Sequence, residues 1–306
     1  MRYLCAGKAQ IMAKPIYPTF DIHNLVANKS HNNLLNADRF KRYLSSNPHL
    51  GVAHNHAFYH LVYFTEGSGE HVIDFVTFPV QKGMIYFMRP GQVHKWHFDE
   101  GVDGYIVNFS STFFDQLFIS SNFIDQFSFF DQIAAHQVLL LKEDTQQQVE
   151  QVFETILYEQ SEKQSSAQLM IATLLLQLFL TVERDNPKTV KEEPAGYNSV
   201  ILRNFQKLIE DSFKTIRLPK DYAGLLYITP NHLNAFCKDY LGISAGEVIR
   251  NRIILEAKRL LINFDLSVGD IAQELNFPDN SYFVKFFKKY THTTPEAFRN
   301  KNYKQH

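Results

Sequence analysis

The chain has 306 residues, enough for two domains, and at 45% hydrophobic and 21% charged its composition is that of an ordinary packed protein. Its two cysteines, Cys5 and Cys237, are too far apart to suggest a disulfide framework or a metal-binding pair, and the first fifteen residues lack a sustained apolar core. A reducing, cytoplasmic location without a secretory signal is therefore expected. The net charge of −1 conceals an asymmetry: residues 1–197 carry 15 Lys and Arg against 21 Asp and Glu, whereas residues 198–306 carry 16 against 11. A basic tail on an acidic body suits a polyanionic partner for the tail.

Residues 1–50 carry few signals. From about residue 54 to 110, aromatic and β-branched runs alternate with turn residues. Phe58–Thr65 ends at Glu66-Gly67-Ser68-Gly69, His71–Phe78 at Gln81-Lys82-Gly83, Met84–Met88 at Pro90-Gly91, and Val93–Phe98 at Asp99–Gly104, before Tyr105–Phe109. Five short strands so punctuated predict an antiparallel barrel or sandwich. Beyond residue 110 the apolar period becomes helical. Val149, Val152, Phe153, Ile156 and Leu157 form one stripe, and Ile171, Leu174, Leu175, Leu178 and Val182 another. Two helices over about 144–184 are expected to pack on the barrel or to pair with a second subunit. The run Leu169–Val182, broken by Gln177, is too short to span a bilayer and reads as a buried helix, so no membrane partner is expected. Residues 185–197 combine charges, two prolines and a glycine with no apolar period, which reads as a linker. From Ser199 onward every apolar cluster has helical spacing, giving an all-α domain over 198–306.

That tail repeats itself. Asp221-Tyr222-Ala223 matches Asp270-Ile271-Ala272, and Leu226 and Ile228 match Leu275 and Phe277 at the same offset. After one inserted residue, Phe236 matches Phe286, Tyr240 matches Tyr290, Ser244 matches Thr294 and Val248 matches Phe298. Each copy has the layout of a helix-turn-helix: a short helix with a small residue (Ala223 or Ala272) at the crossing, a turn, then a capped helix. Thr229 with Pro230 starts the second helix of the first copy, and Asp279 starts that of the second.

The outward residues of those helices suit a major groove. Asn231, Asn234 and Lys238 share one face of the first; Asn280, Ser281 and Lys285 open the other, with Lys288 and Lys289 behind them. Asn matches adenine edges, and Lys matches guanine or phosphate. One such face alone would read as a solvated helix; two in register point to double-stranded DNA. Ala245–Ile262 reads as one connecting helix, about 27 Å long at 1.5 Å per residue. It could set two probes close to one DNA turn, about 34 Å, apart. Arg250, Arg252, Lys258 and Arg259 along it are candidates for phosphate contact.

At this point the tail resembles the AraC/XylS family of regulators. The likeness runs from Ile253 through Ala257-Lys258-Arg259-Leu260-Leu261, Val268, Asp270-Ile271-Ala272 and Leu275-Asn276-Phe277. It continues through Asp279-Asn280-Ser281-Tyr282-Phe283, Phe286-Phe287-Lys288-Lys289, Thr294-Pro295 and Phe298-Arg299. Asn276 and His292 stand where the family usually has Gly. Asn tolerates positive φ, whereas His292 leaves its turn less defined. The resemblance implies a transcription factor, more often an activator than a repressor, acting at promoter sites with RNA polymerase, responding to a small-molecule effector and able to form a homodimer. It also implies a cupin-like sensing body: Gly83 to His94 is similar to the second cupin motif, and His54-Asn55-His56 with His60 faintly resembles the first. The expected fold is thus α+β in two domains. Residues 1–184 would form a cupin-like antiparallel barrel (about 20–110) with two helices, and 198–306 two helix-turn-helix units joined by a long helix.

His54, His56, His60 and His94 have types and spacings that could ligate a divalent metal inside a barrel, and alternation places the first three on one side of a strand. Histidines at strand edges more commonly satisfy buried carbonyls, so no metal and no cofactor is expected. The barrel could instead hold one small molecule, with His60, Tyr63, Tyr86, Trp96 and His94 as candidate lining, beside Phe75 and Phe87. Gly67-Ser68-Gly69 lacks the strand–turn–helix context of a serine nucleophile, and there is no phosphate-binding Gly-Lys loop, so no enzyme is expected. Two competing readings are a cupin metalloenzyme or metal sensor fused to the tail, and a helical protein-interaction tail that binds no DNA.

Overall fold

The computed structural model describes residues 19–25, 34–99, 101–117, 121–130, 136–162, 164–185, 197–263 and 265–303. The N-terminal body contains strands β1 (Thr19–Phe20) and β2 (Leu35–Arg39), a short helix α1 (Phe40–Ser46), and then β3 (His54–His56), β4 (Tyr59–Glu66), β5 (Gly69–Ile73), β6 (Val76–Val80), β7 (Met84–Met88), β8 (Val93–Phe98), β9 (Asp103–Phe109) and β10 (Val138–Leu140). They form two five-stranded sheets, ordered β1-β3-β8-β5-β6 and β10-β7-β4-β9-β2, antiparallel throughout except for the β1–β3 pair. The two sheets are separate rather than closed into one barrel.

Strands β4 and β7 are buried along nearly their whole length because both of their faces are covered. Inward, Val62, Phe64, Tyr86, Met88 and Ile106 pack with Trp96 and Ile73 of the other sheet. Outward, Leu61, Tyr63, Ile85, Phe87, Val107 and Phe109 pack against helices α2 (Glu143–Glu162) and α3 (Ala167–Asp185). Helix α3 is apolar and long enough to cross a membrane by composition, but Ile171, Ala172, Leu175, Leu178, Phe179 and Val182 are buried in this core.

Two features depart from the expected strand pattern. The predicted single strand His71–Phe78 is a hairpin, in which Ile73 pairs with Val76 across a two-residue turn. Asp74 and Phe75 in that turn have φ values of 46° and 72°. Such turns usually declare themselves by Asn-Gly or Asp-Gly, and the absence of glycine hid this one. Strand β10, too short to register as an apolar run, extends the second sheet by pairing with β7.

The expected linker 185–197 lies outside the described residues, except that Asp185 ends α3 and Tyr197 begins α4 (Tyr197–Ser212). The tail continues with α5 (Pro219–Leu225), α6 (Pro230–Leu241), α7 (Ala245–Leu261), α8 (Val268–Glu274), α9 (Asn280–Thr291) and α10 (Pro295–Tyr303). One core joins them, built from Phe205, Tyr222, Ala223, Leu233, Ile249, Ile253, Ala257, Ile271, Ala272, Phe283 and Phe287. Both copies of the repeat therefore pack on α7, whose start is fixed by a capping box between Ser244 and Glu247.

Candidate functional site

The repeat in sequence is a repeat in backbone. Thr229 caps α6 by accepting from the His232 N–H at 3.2 Å, and Asp279 caps α9 by accepting from the Tyr282 N–H at 2.7 Å. The turn before each helix closes in the same way. Ile228 N–H donates to Ala223 O and Phe277 N–H to Ala272 O, while Tyr227 and Asn276 lie in left-handed backbone at φ 56° and 55°. Each helix also ends on a left-handed residue, Gly242 at φ 74° and His292 at φ 59°. His292 thus keeps the same turn without glycine, at the conformational cost that a non-glycine residue bears there. Arg299 ties the far end of the rod, donating to Leu261 O and Leu266 O at 3.0 and 2.6 Å.

These frames leave Asn231 and Lys238 of α6, and Asn280, Ser281, Lys285 and Lys288 of α9, exposed to solvent. Other expected contacts are placed differently. The Asn234 carboxamide oxygen accepts from the Ala245 N–H at 3.1 Å, so this side chain holds the first turn of α7 instead of standing free on the groove face. Arg250 is half-buried, its guanidinium 5.1 Å from the centroid of the Tyr290 ring, and it links α7 to α9. Arg252 and Arg259 do not face outward with the recognition helices. They lie on the side of α7 that meets α4 and the body, where Arg252 pairs with Glu210 and Glu256 at 2.7 and 2.9 Å. Two exposed aromatics were missed: Tyr227, 94% exposed in the turn ahead of α6, and Tyr282 in the first turn of α9. Nothing in the repeat singles them out, because each occupies a position that reads as frame.

Within the body, His60, Tyr86, Trp96 and His94 meet in the space between the sheets, but Tyr63 does not. It sits an odd number of residues from His60, hence on the opposite face of β4. There it stacks near Phe153 and donates to Glu150 of α2 at 3.0 Å. The interior instead gains His71, and five histidines (54, 56, 60, 71 and 94) lie buried together. His54 Nδ1 lies 2.7 Å from Val52 O, and His60 Nδ1 lies 2.7 Å from Asn108 Oδ1. His71 Nε2 meets His94 Nδ1 at 2.9 Å, and His94 Nε2 meets His56 Nε2 at 2.9 Å. Burial pushes His54 down to about 4 and His60 to about 3, with the neighbouring rings adding to the effect. Burial holds His56, His71 and His94 well below the ordinary imidazole range too. All five rings are therefore uncharged at neutral pH.

These side chains fill the interior, and open space lies beside it. A cleft of 460 Å³ separates the body from α7, lined by Asn55, His56, Gln92, Arg252, Glu256 and Arg259 among others. A latch bounds this cleft. Arg259 makes a two-point contact to Asp74, Nε to Oδ1 at 2.8 Å and Nη2 to Oδ2 at 2.6 Å, with both side chains largely buried. Burial works against the Arg259 charge, and Asp74, with Glu256 and Glu210 adding to it, more than offsets it. The glycine-free turn aims Asp74 outward, and Gln92 Nε2 and the Val93 N–H fix it at 2.9 and 3.2 Å. Beside it, Phe75 packs edge-on against Phe298 of α10, and Ala53 and Val93 pack with Ile262.

Comparison with known proteins follows this division. The AraC-like ligand binding domain matches residues 47–179 and a helix-turn-helix domain matches residues 222–301, together more than two thirds of the chain. The uncharacterized regulator YfiF of Bacillus subtilis is 21% identical over 253 residues, covering 81% of this chain and 78% of its own. The transcriptional activator RhaS of Escherichia coli is 23% identical over 258 residues, covering 80% and 86%. Other curated relatives match over shorter stretches, so that the chain spans about half of their length. Among solved structures, ToxT of Vibrio cholerae aligns with 79% of this chain and 88% of its own at 13% identity and a TM-score of 0.42. With a ligand-binding body of the AraC type followed by the paired helix-turn-helix, the chain is a member of the AraC family of DNA-binding transcription regulators.

Proposed function

We propose that the chain is a sequence-specific regulator that binds double-stranded promoter DNA through α6 and α9, activates transcription together with RNA polymerase, and responds to a small molecule. The observation that carries this reading is the pair of matching, capped helices, packed on one connecting helix, that present exposed Asn and Lys residues. Activation draws its support from the activators RhaS and RhaR among the relatives. The effector is assigned to the cleft between the body and α7, because the interior between the sheets is occupied by aromatic and imidazole rings. The cleft's mixed amide and paired-charge lining suits a polar molecule. Promoter DNA places the chain in the cytoplasm.

The test is a gel shift of the full chain on DNA upstream of its own and neighbouring genes. A discrete complex is expected. Asn231→Ala and Lys285→Ala should each weaken it by about 1–3 kcal/mol if they read bases. Equal weakening on random DNA would confine them to phosphates, and no complex on any fragment would sink the reading.

A homodimer is proposed on α3, where Leu169, Thr173 and Leu180 are exposed, with Leu176, which also packs against the core, between them. Their spacing is that of a helix-pairing seam. Leu180→Glu should convert a dimer into a monomer in sedimentation while leaving the circular dichroism spectrum unchanged; a monomeric parent chain would refute the assignment.

A further inference from the structure

The five buried histidines exceed what packing or the DNA-binding role requires. His54 and His56 on β3 lie beside His94 on β8, with His54 and His94 in direct register, and one ring nitrogen from each of the three falls within 4.8 Å of the others. For His54 and His60 the bonds fix which nitrogen carries the proton. His54 Nδ1 faces a carbonyl, which can only accept, so the proton is on Nδ1 and the lone pair on Nε2. That Nε2 is buried and has no partner. His60 Nδ1 faces the Asn108 side-chain oxygen in the same way, and its Nε2 is likewise buried without a partner. His94 has His71 on its Nδ1, which leaves Nε2 directed at His56 Nε2 at 2.9 Å. Two nitrogens bound to one ion at about 2.0–2.1 Å stand about 2.9 Å apart at a right angle and about 3.3–3.4 Å apart at the tetrahedral angle, so this pair lies within about half an ångström of sharing an ion.

An outer partner on the far nitrogen, with Nε2 turned inward, is the arrangement that orients histidine ligands around a metal; His54 has it in Val52 O and His94 in His71, whereas His56 Nδ1 is buried without a partner. We propose that His54, His56 and His94 bind one divalent transition-metal ion, with His71 as the residue that positions His94. The donor set is entirely uncharged nitrogen, which favours zinc, nickel or copper over magnesium or calcium. The site is also connected to the tail. Val93, next to His94, exchanges backbone and side-chain bonds with Asp74, whose carboxylate holds Arg259 of α7. An ion that draws β3 and β8 together therefore acts one residue from the latch.

The experiment uses the full chain, freed of metal by dialysis against chelator and titrated with Zn²⁺. One ion per chain is expected, and His54→Gln and His94→Gln should each weaken binding at least 100-fold. His71→Gln should weaken it by about 10-fold, as removal of an outer partner does, whereas the surface change Lys82→Ala should leave it unchanged. Should the histidine variants fail to fold, Cu²⁺-loaded parent chain still decides, since its electron paramagnetic resonance spectrum should show coupling to at least three imidazole nitrogens. Substoichiometric zinc, binding unaffected by the substitutions, or fewer than three coupled nitrogens overturns the proposal. None of these readouts involves DNA, so the metal site and the regulatory reading fail separately.

Discussion

Lowering the pH from 7.5 to 5.5 should strip the body of much of its stability in the metal-free chain. In the folded state His54 stays unprotonated until about pH 4 and His60 until about pH 3, and burial suppresses protonation of His56, His71 and His94 as well. Unfolded imidazoles take up a proton near pH 6.5. Across this interval the unfolded chain binds more protons than the folded one, so acid favours unfolding and stability rises with pH. At pH 5.5 His54 and His60 each favour the unfolded chain by roughly 1 kcal/mol, and His56, His71 and His94 act in the same direction. Two such rings already take a sizeable part of the stability of many domains, about 5–15 kcal/mol. Urea midpoints at the two pH values measure the effect. A midpoint that does not move would show that the rings are solvated or already charged.

The second large effect belongs to the latch. Asp74→Ala leaves Arg259, 13% exposed, facing no carboxylate from the body. Removing one partner of a buried ion pair costs about 3–5 kcal/mol. Here the molecule has a cheaper response than unfolding, because outside the latch the contact rests on Phe75–Phe298 and the small cluster of Ala53, Val93 and Ile262. The body should therefore swing away from α7 and let water reach Arg259. A larger radius of gyration in small-angle scattering is expected, together with DNA binding that no longer depends on an effector. Replacing both partners by apolar residues, Asp74→Leu with Arg259→Met, should recover most of the contact. An unchanged radius of gyration in Asp74→Ala would show that the latch does not hold the body in place.

The tail was the more legible half because its information is periodic and duplicated. Ala223 and Ala272, Thr229 and Asp279, and the spaced phenylalanines each state one requirement twice. The direction in which the polar side of α7 points was not legible. Arg252, Glu256 and Arg259 recur at helical spacing as any exposed stripe would, and only the position of Asp74 turns that stripe toward the body. Asp74 was itself hidden, because its turn lacks the glycine by which turns are recognised. Tyr63 could have been separated from His60 by counting residues along β4. His71 stands alone in sequence and joins the other imidazoles only through the pairing of β5 with β8. Long-range register of this kind leaves no local mark.

Helix α7 has one further consequence. The helix that carries both reading heads is also the surface on which the body rests, and its two ends are fixed by the Ser244 capping box and by Arg299. On the regulatory function proposed above, an effector that disturbs the body hides or releases this girder but does not stretch it. The distance between the two stretches of DNA would then be built into the chain, with signalling confined to whether that ruler is laid on the duplex.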